Sequence, residues 1–185
     1  KEVTAFIVEK ETEGLAVSSI EHKLGQRASQ TTELSFTDAK VHKNNILGKL
    51  GEGLKVAFAS LDNGRIGIAS LSVGIAQAAF TEATNYAKDR VAFGKPIAEQ
   101  QAVQFKLADM ATEIEASRLL TLRAAHAKDS GSKKTGVYAS MAKLYASETA
   151  NKVCADAIQI HGGNGYSRHY NVEKYYRDAR ITTIY

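Results

Sequence analysis

A glycine-rich segment, QIHGGNGYSRH at residues 159–169, is the first place where this sequence could do chemistry. Three glycines and an asparagine follow a long stretch of helical character. Glycine adopts a positive φ without steric cost and commonly ends a helix, so the cluster could be a simple helix C-terminus. Alternatively, a backbone without side chains lets a ligand approach closely. Helix capping accounts for one or two of these glycines but hardly for three.

The segment LDNGR at residues 61–65 places an arginine inside an apolar helical stretch. A buried charge without a partner is costly, so Arg65 must meet an anion or a set of carbonyl oxygens. Asp62 lies three residues before Arg65 and could pair with it on the same helical face. The spacing alone favours this internal pair, and an anionic ligand is the other interpretation.

The segment DRVAFGKPIAEQQAVQF at residues 89–105 combines a cation, an aromatic ring and two glutamines around a Gly-Lys-Pro turn. The Arg90 guanidinium is a planar fork that suits phosphate, and the Phe93 ring offers a face to an aromatic ligand. Backbone N–H groups and amides at the start of the next helix, that of Gln101 among them, add donors. A charged turn between two helices is the simpler interpretation of the same residues.

Composition narrows the class of partner. The formal net charge is +4 and the isoelectric point is near 9.1, but acidic residues interleave with basic ones and no polybasic tract occurs. A nucleic-acid partner is therefore not expected. The five histidines lack the spacing of a helical metal site, and Cys154 lies in an apolar helical stretch that predicts a buried thiol. No metal site and no membrane insertion are expected.

Two kinds of secondary structure must position these groups. Residues 1–50 carry strand-like segments such as VTAFIVEK at 3–10 and TELSF at 32–36, which predict β-sheet. From residue 51 the apolar spacing changes to three and four, which predicts four helices: a long one over 54–90, a second after Pro96, a third over 137–160 and a short one over 171–181. The predicted buried face of the first helix is Ile68, Leu71, Ile75, Ala79 and Ala83. The fold class is therefore α+β but mainly α, with an antiparallel four-helix bundle.

Three segments together resemble the flavin-dependent acyl-CoA dehydrogenases, in motifs closest to the short-chain or butyryl branch. They are residues 64–120 (GRIGIASL to ASRLL), QIHGGNGY at 159–166 and EKYYRDARITTIY at 173–185. Residues 4–41 look like the second half of that family's middle β domain. The resemblance implies that residues 1–50 are the C-terminal part of a β-barrel-like domain and that residues 51–185 are the C-terminal four-helix-bundle domain.

The resemblance also implies where ligands bind. Enzymes of this family hold FAD at a subunit interface, and the positions matching Arg90, Phe93 and Gln101 contact the cofactor of a neighbouring subunit. The adenosine and pyrophosphate part lies along the positions matching Gln159, Ile160, His161, Gly162 and Gly163, where His161 is a ring near a helix C-terminus rather than a base. The acyl-CoA meets the positions matching Asp62, Asn63, Gly64 and Arg65.

The implied reaction is α,β-dehydrogenation of an acyl-CoA thioester to a trans-2-enoyl-CoA: a glutamate removes the α-proton and the β-hydrogen leaves as hydride to flavin N5. Most branches place this glutamate just after the segment matching residues 177–185, and the isovaleryl branch places it at the position matching Gly64. No catalytic base is therefore expected within this chain, and the chain alone is expected to be inactive. An acyl-CoA oxidase and a non-catalytic helical scaffold are the alternatives.

Further implications concern partners and location. The resemblance implies an electron-transfer flavoprotein as electron acceptor and a homo-oligomer arranged as a dimer of dimers. A bacterial cytoplasmic location is expected, with the mitochondrial matrix as the alternative, since no targeting segment is visible.

Overall fold

The computed structural model describes residues 2–185, and the side chain of Asp62 lies outside the described part. The chain divides into two compact units, Lys1–Asn63 and Gly64–Tyr185. The division falls inside the longest helix, α1 (Gly53–Asp89), which begins close to the predicted change of pattern at residue 51.

The first unit contains two short antiparallel strand pairs. β1 (Ala5–Phe6) pairs with β4 (Ile46–Leu47), and β2 (Leu15–Ile20) pairs with β3 (Thr32–Phe36). The opening segment is predicted as one strand over residues 3–10, but its named strand covers only Ala5–Phe6. Several apolar side chains of β2 and β3 are more than half exposed, namely Val17, Ile20, Leu34 and Phe36. Among the described residues, this unit buries little apolar surface of its own.

The second unit is helical. It holds most of α1, followed by α2 (Gln101–Asp129), α3 (Thr135–His161) and α4 (Val172–Ala179). The predicted fold, mainly α with four helices in the described residues, is confirmed. α4 is shorter than the predicted 171–181, because the chain tightens into a 3-10 helix at Arg180–Thr183. A short turn joins α2 to α3, which makes these two helices antiparallel neighbours.

Alanine dominates the surfaces where the helices meet. Larger buried side chains are few, and Met110, Ile114, Val153 and Val172 are among them. The buried alanines are Ala69, Ala76, Ala79, Ala83, Ala87, Ala124, Ala127, Ala139, Ala142, Ala146, Ala150, Ala157 and Ala179. Small side chains let helix backbones approach closely, so this core is built from short interhelical distances rather than from bulky side chains.

The predicted buried face of α1 is wrong over its first half. Ala69, Val73 and Ala76 are buried, whereas Leu71 is 39% exposed. On α3, likewise, Leu144 is 64% exposed, whereas Ala142 and Ala146 are buried. Small side chains, mainly alanine, predominate along the contact line, which favours close packing of the helices. Larger aliphatic side chains are displaced to its flanks.

α1 is also long and apolar enough to cross a membrane, judged by length and composition alone. In the structure, a row of its residues from Ala69 to Ala87 packs into the hydrophobic core together with residues of α2 and α3. About a third (33%) of the most apolar stretch of α1 is buried in the structure.

Candidate functional site

A cleft of about 380 Å³ opens where α1 ends and α3 gives way to the glycine-rich loop. Its walls are Tyr86, Arg90, Ile97, Ile160, His161, Gly162, Gly163 and Asn164. Five residues predicted to bind a cofactor therefore come together here: Arg90, Ile160, His161, Gly162 and Gly163. The sequence places Arg90 and Gly163 more than 70 residues apart, so their meeting is a result of helix packing.

Arg90 supplies the positive charge of this cleft. It follows α1 directly: its backbone N–H donates to the Tyr86 carbonyl, over 2.8 Å, and its own carbonyl accepts from the Ile97 N–H, also over 2.8 Å. Both backbone groups are thus used, and Arg90 is an exposed residue that lines the cleft. A fixed backbone with an exposed guanidinium suits phosphate recognition.

The three glycines of the loop have three different structural reasons. Gly162 ends α3 with φ 60° and ψ −136°, a conformation that side chains disfavour. Gly165 is packed so tightly that a Cβ atom would lie 2.6 Å from the Ile158 carbonyl oxygen. Gly163 has neither constraint: its φ is not positive, and a Cβ atom built on it meets nothing within 4 Å among the described residues. Gly163 also lines the cleft of about 380 Å³, which favours close backbone approach over capping at this position.

His161 is buried and held by its own helix. Its Nδ1 lies 2.8 Å from the Ala157 carbonyl oxygen, which can only accept, so Nδ1 carries the proton. The imidazole stacks on the Tyr86 ring at 4.2 Å between centroids and meets the Tyr170 ring edge to face at 5.3 Å. This side chain is packed as a wall of the cleft.

A second, larger cleft of about 480 Å³ shares the wall formed by Tyr86, Arg90, His161 and Asn164. The carboxylates of Glu82 and Asp89 line it as well. Glu82 accepts hydrogen bonds from the Tyr175 hydroxyl, over 2.9 Å, and from the Asn171 amide, over 3.0 Å. Glu82 thereby joins α1 to α4. A phosphate fits poorly beside two carboxylates, so the smaller cleft is the candidate anion site.

Three predicted cofactor residues lie outside the walls of this cleft. Gln101 and Gln159 are exposed helix residues, at the start of α2 and near the end of α3. Phe93 lies at the tip of a hairpin between β5 (Val91–Ala92) and β6 (Lys95–Pro96), and it is 96% exposed. Phe93 and Gly94 have φ values of 55° and 79°, as a type I′ turn requires. An aromatic side chain in this backbone region is strained, and the described residues leave its ring uncovered.

The predicted acyl-CoA residues lie in the first half of α1, about a third of the way along it. From Arg65 to Asp89 the helix advances about 36 Å at about 1.5 Å per residue. Asn63 and Gly64 are exposed, Arg65 is half-buried, and the side chain of Asp62 is outside the described residues. Arg65 and the cleft at the end of α1 are therefore too far apart to line one pocket in a single copy of this chain.

Three residues of the cleft are absent from the predicted cofactor residues, namely Tyr86, Ile97 and Asn164. Tyr86 and Asn164 are joined by a hydrogen bond of 2.9 Å from the Asn164 amide to the Tyr86 hydroxyl. Tyr86 lies inside a helix with no local signature, and Asn164 is one loop residue among several. The asparagine beside the glycine pair was the available signal, and it identifies no partner 78 residues away.

The described residues form a helical domain with a cleft, lined by Arg90, Gly162 and Gly163 among others, at one end of its bundle. A family model for the acyl-CoA dehydrogenase C-terminal domain matches residues 51–185. The chain belongs to the acyl-CoA dehydrogenase family, a family of FAD-dependent oxidoreductases. The resemblance noted from the motifs is thereby confirmed.

Individual relatives agree with this assignment. The caffeyl-CoA reductase-Etf complex subunit CarC of Acetobacterium woodii is 49% identical over 99% of this chain and 48% of its own length. The human mitochondrial short-chain specific acyl-CoA dehydrogenase is 52% identical, over 100% of this chain and 45% of its own length. The structure of butyryl-CoA dehydrogenase from Megasphaera elsdenii superposes with a TM-score of 0.96 at 48% identity, covering 98% of this chain and 47% of that one. The chain thus spans about half the length of these relatives.

Proposed function

We propose that the protein is an FAD-dependent acyl-CoA dehydrogenase and that this chain supplies part of the cofactor site of a neighbouring subunit. The observation that carries the proposal is the cleft in which Arg90 meets Gly162 and Gly163, with open space above Gly163. When bound, FAD supplies the acceptor for a hydride taken from the β-carbon of an acyl-CoA thioester.

The residues of the cleft have distinct roles in this proposal. The Arg90 guanidinium binds the pyrophosphate, and the bare backbone at Gly163 lets the phosphates come close. Ile97 and Ile160 give apolar contact along the walls. Phe93, at the hairpin tip, covers part of the same cofactor with its exposed ring. The residues 62–65 meet the acyl-CoA, and no base within residues 2–185 is assigned.

Distance supports a shared rather than a single-chain site. About 36 Å of helix separates Arg65 from Asp89. One copy of the chain therefore contributes Arg65 and the cofactor cleft to different ligand complexes. Exposed apolar side chains on α2 and α3, among them Phe105, Leu119 and Leu144, provide surface for association with further copies. We therefore propose a homo-oligomer whose subunits complete one another's cofactor sites.

Reduction of an enoyl-CoA is a second candidate function. The specific observation in its favour is the 49% identity to a subunit named as part of a caffeyl-CoA reductase-Etf complex. A site that stabilises the transition state of a reaction serves both directions, so the residues above would keep their roles. The same name supports an electron-transfer flavoprotein as the redox partner in either direction.

Relatives of bacterial and of mitochondrial origin both occur, so either compartment is compatible with the proposal.

The test uses the full-length protein. Purified protein should absorb between 350 and 500 nm with about one FAD per subunit, and anaerobic addition of butyryl-CoA should bleach it. Chemically reduced protein should regain its colour with crotonyl-CoA if reduction is the favoured direction. Oxygen consumption with butyryl-CoA would identify an oxidase. A colourless protein that binds no added FAD would show a helical scaffold instead.

A further inference from the structure

We infer that Tyr86 is a positioning residue that holds the Gly162–Gly163 backbone at a fixed distance from Arg90. Its ring stacks on His161, the residue before the glycines, with the two planes 22° apart. Its hydroxyl accepts the amide hydrogen bond of Asn164, the residue after them. This inference rests on the proposed function, because it concerns the affinity of that same cleft for FAD.

The two contacts bracket the glycine pair on both sides. A glycine dipeptide has more backbone freedom than any other, and the space beside Gly163 is open among the described residues. Tyr86 reaches across from α1 and restrains both neighbours of the pair at once. The loop is therefore ordered before any ligand arrives, which lowers the entropic cost of binding.

Tyr86 also contacts the backbone of Arg90, the residue that carries the positive charge. Its backbone carbonyl accepts the Arg90 N–H over 2.8 Å, at the last turn of α1. One residue thus contacts the segment that carries the guanidinium and the segment that carries the bare backbone. A dinucleotide pyrophosphate that touches both segments requires their separation to be fixed.

The stack itself rests on a ring that cannot turn freely. His161 is anchored through Nδ1 to the Ala157 carbonyl, and Tyr170 meets both rings edge to face, at 5.3 Å from His161 and 5.5 Å from Tyr86. The three aromatic side chains therefore form a rigid support beneath the loop. The Asn164 bond lies at the exposed rim, where a single hydrogen bond adds little to global stability.

An experiment in the full-length protein can therefore distinguish a role of Tyr86 in positioning the loop from a role in global stability. Tyr86→Phe keeps the stack and removes only the hydroxyl, and Asn164→Ala removes only the donor. In FAD titrations of the apoprotein, each change should raise the Kd about fivefold, equivalent to about 1 kcal/mol. The double variant should be no weaker than either single one, because both remove the same bond. The Tm of the apoprotein should stay at the wild-type value.

Two further measurements complete the test. Tyr138→Phe is the matched control, because the Tyr138 hydroxyl accepts a hydrogen bond from Arg123, over 3.0 Å, near the other end of α3. It should leave the Kd unchanged. Hydrogen–deuterium exchange of the peptide covering 159–166 should be faster in Tyr86→Phe than in wild type, even without FAD.

The outcomes distinguish the positioning role of Tyr86 from the proposed function. Wild-type apoprotein that binds FAD, together with an unchanged Kd and unchanged exchange in Tyr86→Phe, would overturn the role of Tyr86 and leave the proposed function standing. A wild type that binds no FAD would overturn the proposed function and this inference with it. A lowered Tm at unchanged Kd would show that Tyr86 acts only in folding.

Discussion

The side-chain amide of Asn151 in α3 donates a hydrogen bond to the backbone carbonyl of Ala179, the last residue of α4, over 3.1 Å. The same amide donates to the Ser147 carbonyl over 2.8 Å. One half-buried side chain thus attaches the end of α4 to the middle of α3. The Ala179 carbonyl also accepts from the Thr182 hydroxyl, over 2.7 Å, so the contact belongs to a small network at the α4 terminus.

We expect Asn151→Ala to lower the free energy of unfolding by about 1–2 kcal/mol, because a part-buried network loses a donor. Urea unfolding followed by circular dichroism measures the change. Asn171→Ala is the control, since its amide bonds to the Glu82 carboxylate in an exposed position, and it should cost less than about 0.5 kcal/mol. Equal losses in the two variants would contradict the role of the Asn151 network.

Phe93→Asn should stabilise the hairpin and weaken FAD binding. Asparagine tolerates a positive φ and Asn-Gly is the preferred pair of a type I′ turn, so relief of strain should add about 0.5–1 kcal/mol to the free energy of unfolding. Loss of the ring should raise the Kd for FAD about tenfold in the full-length protein. Phe93→Ala should weaken binding equally without the gain in stability. Undiminished affinity in both variants would mean that the exposed ring has another role.

The glycines of the loop should respond differently to alanine. Gly163→Ala should leave the Tm of the apoprotein unchanged but weaken FAD binding, because the new Cβ enters open space in the cleft. Gly165→Ala should lower stability by about 1–3 kcal/mol, since its Cβ would lie 2.6 Å from the Ile158 carbonyl. Paired melting and FAD titration measure both effects. A Gly163→Ala protein with native affinity would show that no ligand lies against this backbone.

The Cys154 thiol should make stability depend on pH in the alkaline range. Burial, and to a lesser extent the charge of Asp178, raises the pKa of Cys154 from 9.0 to about 12. The folded protein binds this proton more tightly than the unfolded chain does. Its contribution to stability is therefore full below pH 9 and is lost as the pH rises toward 12.

In that window the free energy of unfolding should fall by up to about 1.4 kcal/mol per pH unit on account of this one group. Cys154→Ala should remove that part of the slope, together with the smaller effect that the Cys154 charge has in raising the pKa of Tyr175. Urea unfolding at a series of alkaline pH values compares the two. Identical slopes would contradict the raised pKa.

Arg65→Gln should lower kcat/KM of the full-length enzyme at least about tenfold, or about 1.4 kcal/mol of transition-state stabilisation, with little change in Tm. The reason is a cation set into an apolar helical stretch, at a position that the family resemblance places beside the acyl-CoA. Steady-state kinetics with butyryl-CoA and a melting curve are the measurements. Unchanged turnover together with a lowered Tm would indicate a structural ion pair.

Periodicity predicts the helices of this chain well because spacing of three and four persists over many turns. It fails for the inner face of α1, where Ala69 and Ala76 are buried in place of Ile68 and Ile75. Hydrophobicity alone ranks isoleucine above alanine, whereas the distance between helix axes decides which one fits. That distance is a property of the packed bundle and is not encoded in any local stretch.

The candidate site is also only partly predictable, because its residue types are local features of the sequence whereas its geometry depends on helix packing. The residue types at Arg90 and Gly163 are enough, from the sequence alone, to suggest phosphate binding. Their convergence, and the role of Tyr86 between them, depend on how α1 lies against α3. The separate reasons for Gly162, Gly163 and Gly165 depend on backbone angles and neighbouring atoms, which three identical letters cannot express.

The alanine-rich core also shapes how this gene can change. A single-nucleotide substitution in an alanine codon yields valine, threonine, serine, proline, aspartate, glutamate or glycine, and every one except glycine is larger. At positions such as Ala69 or Ala150, both fully buried, missense variants should therefore damage the protein by overpacking rather than by leaving cavities. Their rescue would come from second changes that shorten a facing side chain or move a helix apart. Inherited variation in the bundle should accordingly be depleted at the helix contacts and concentrated on their flanks, where the larger aliphatic residues lie.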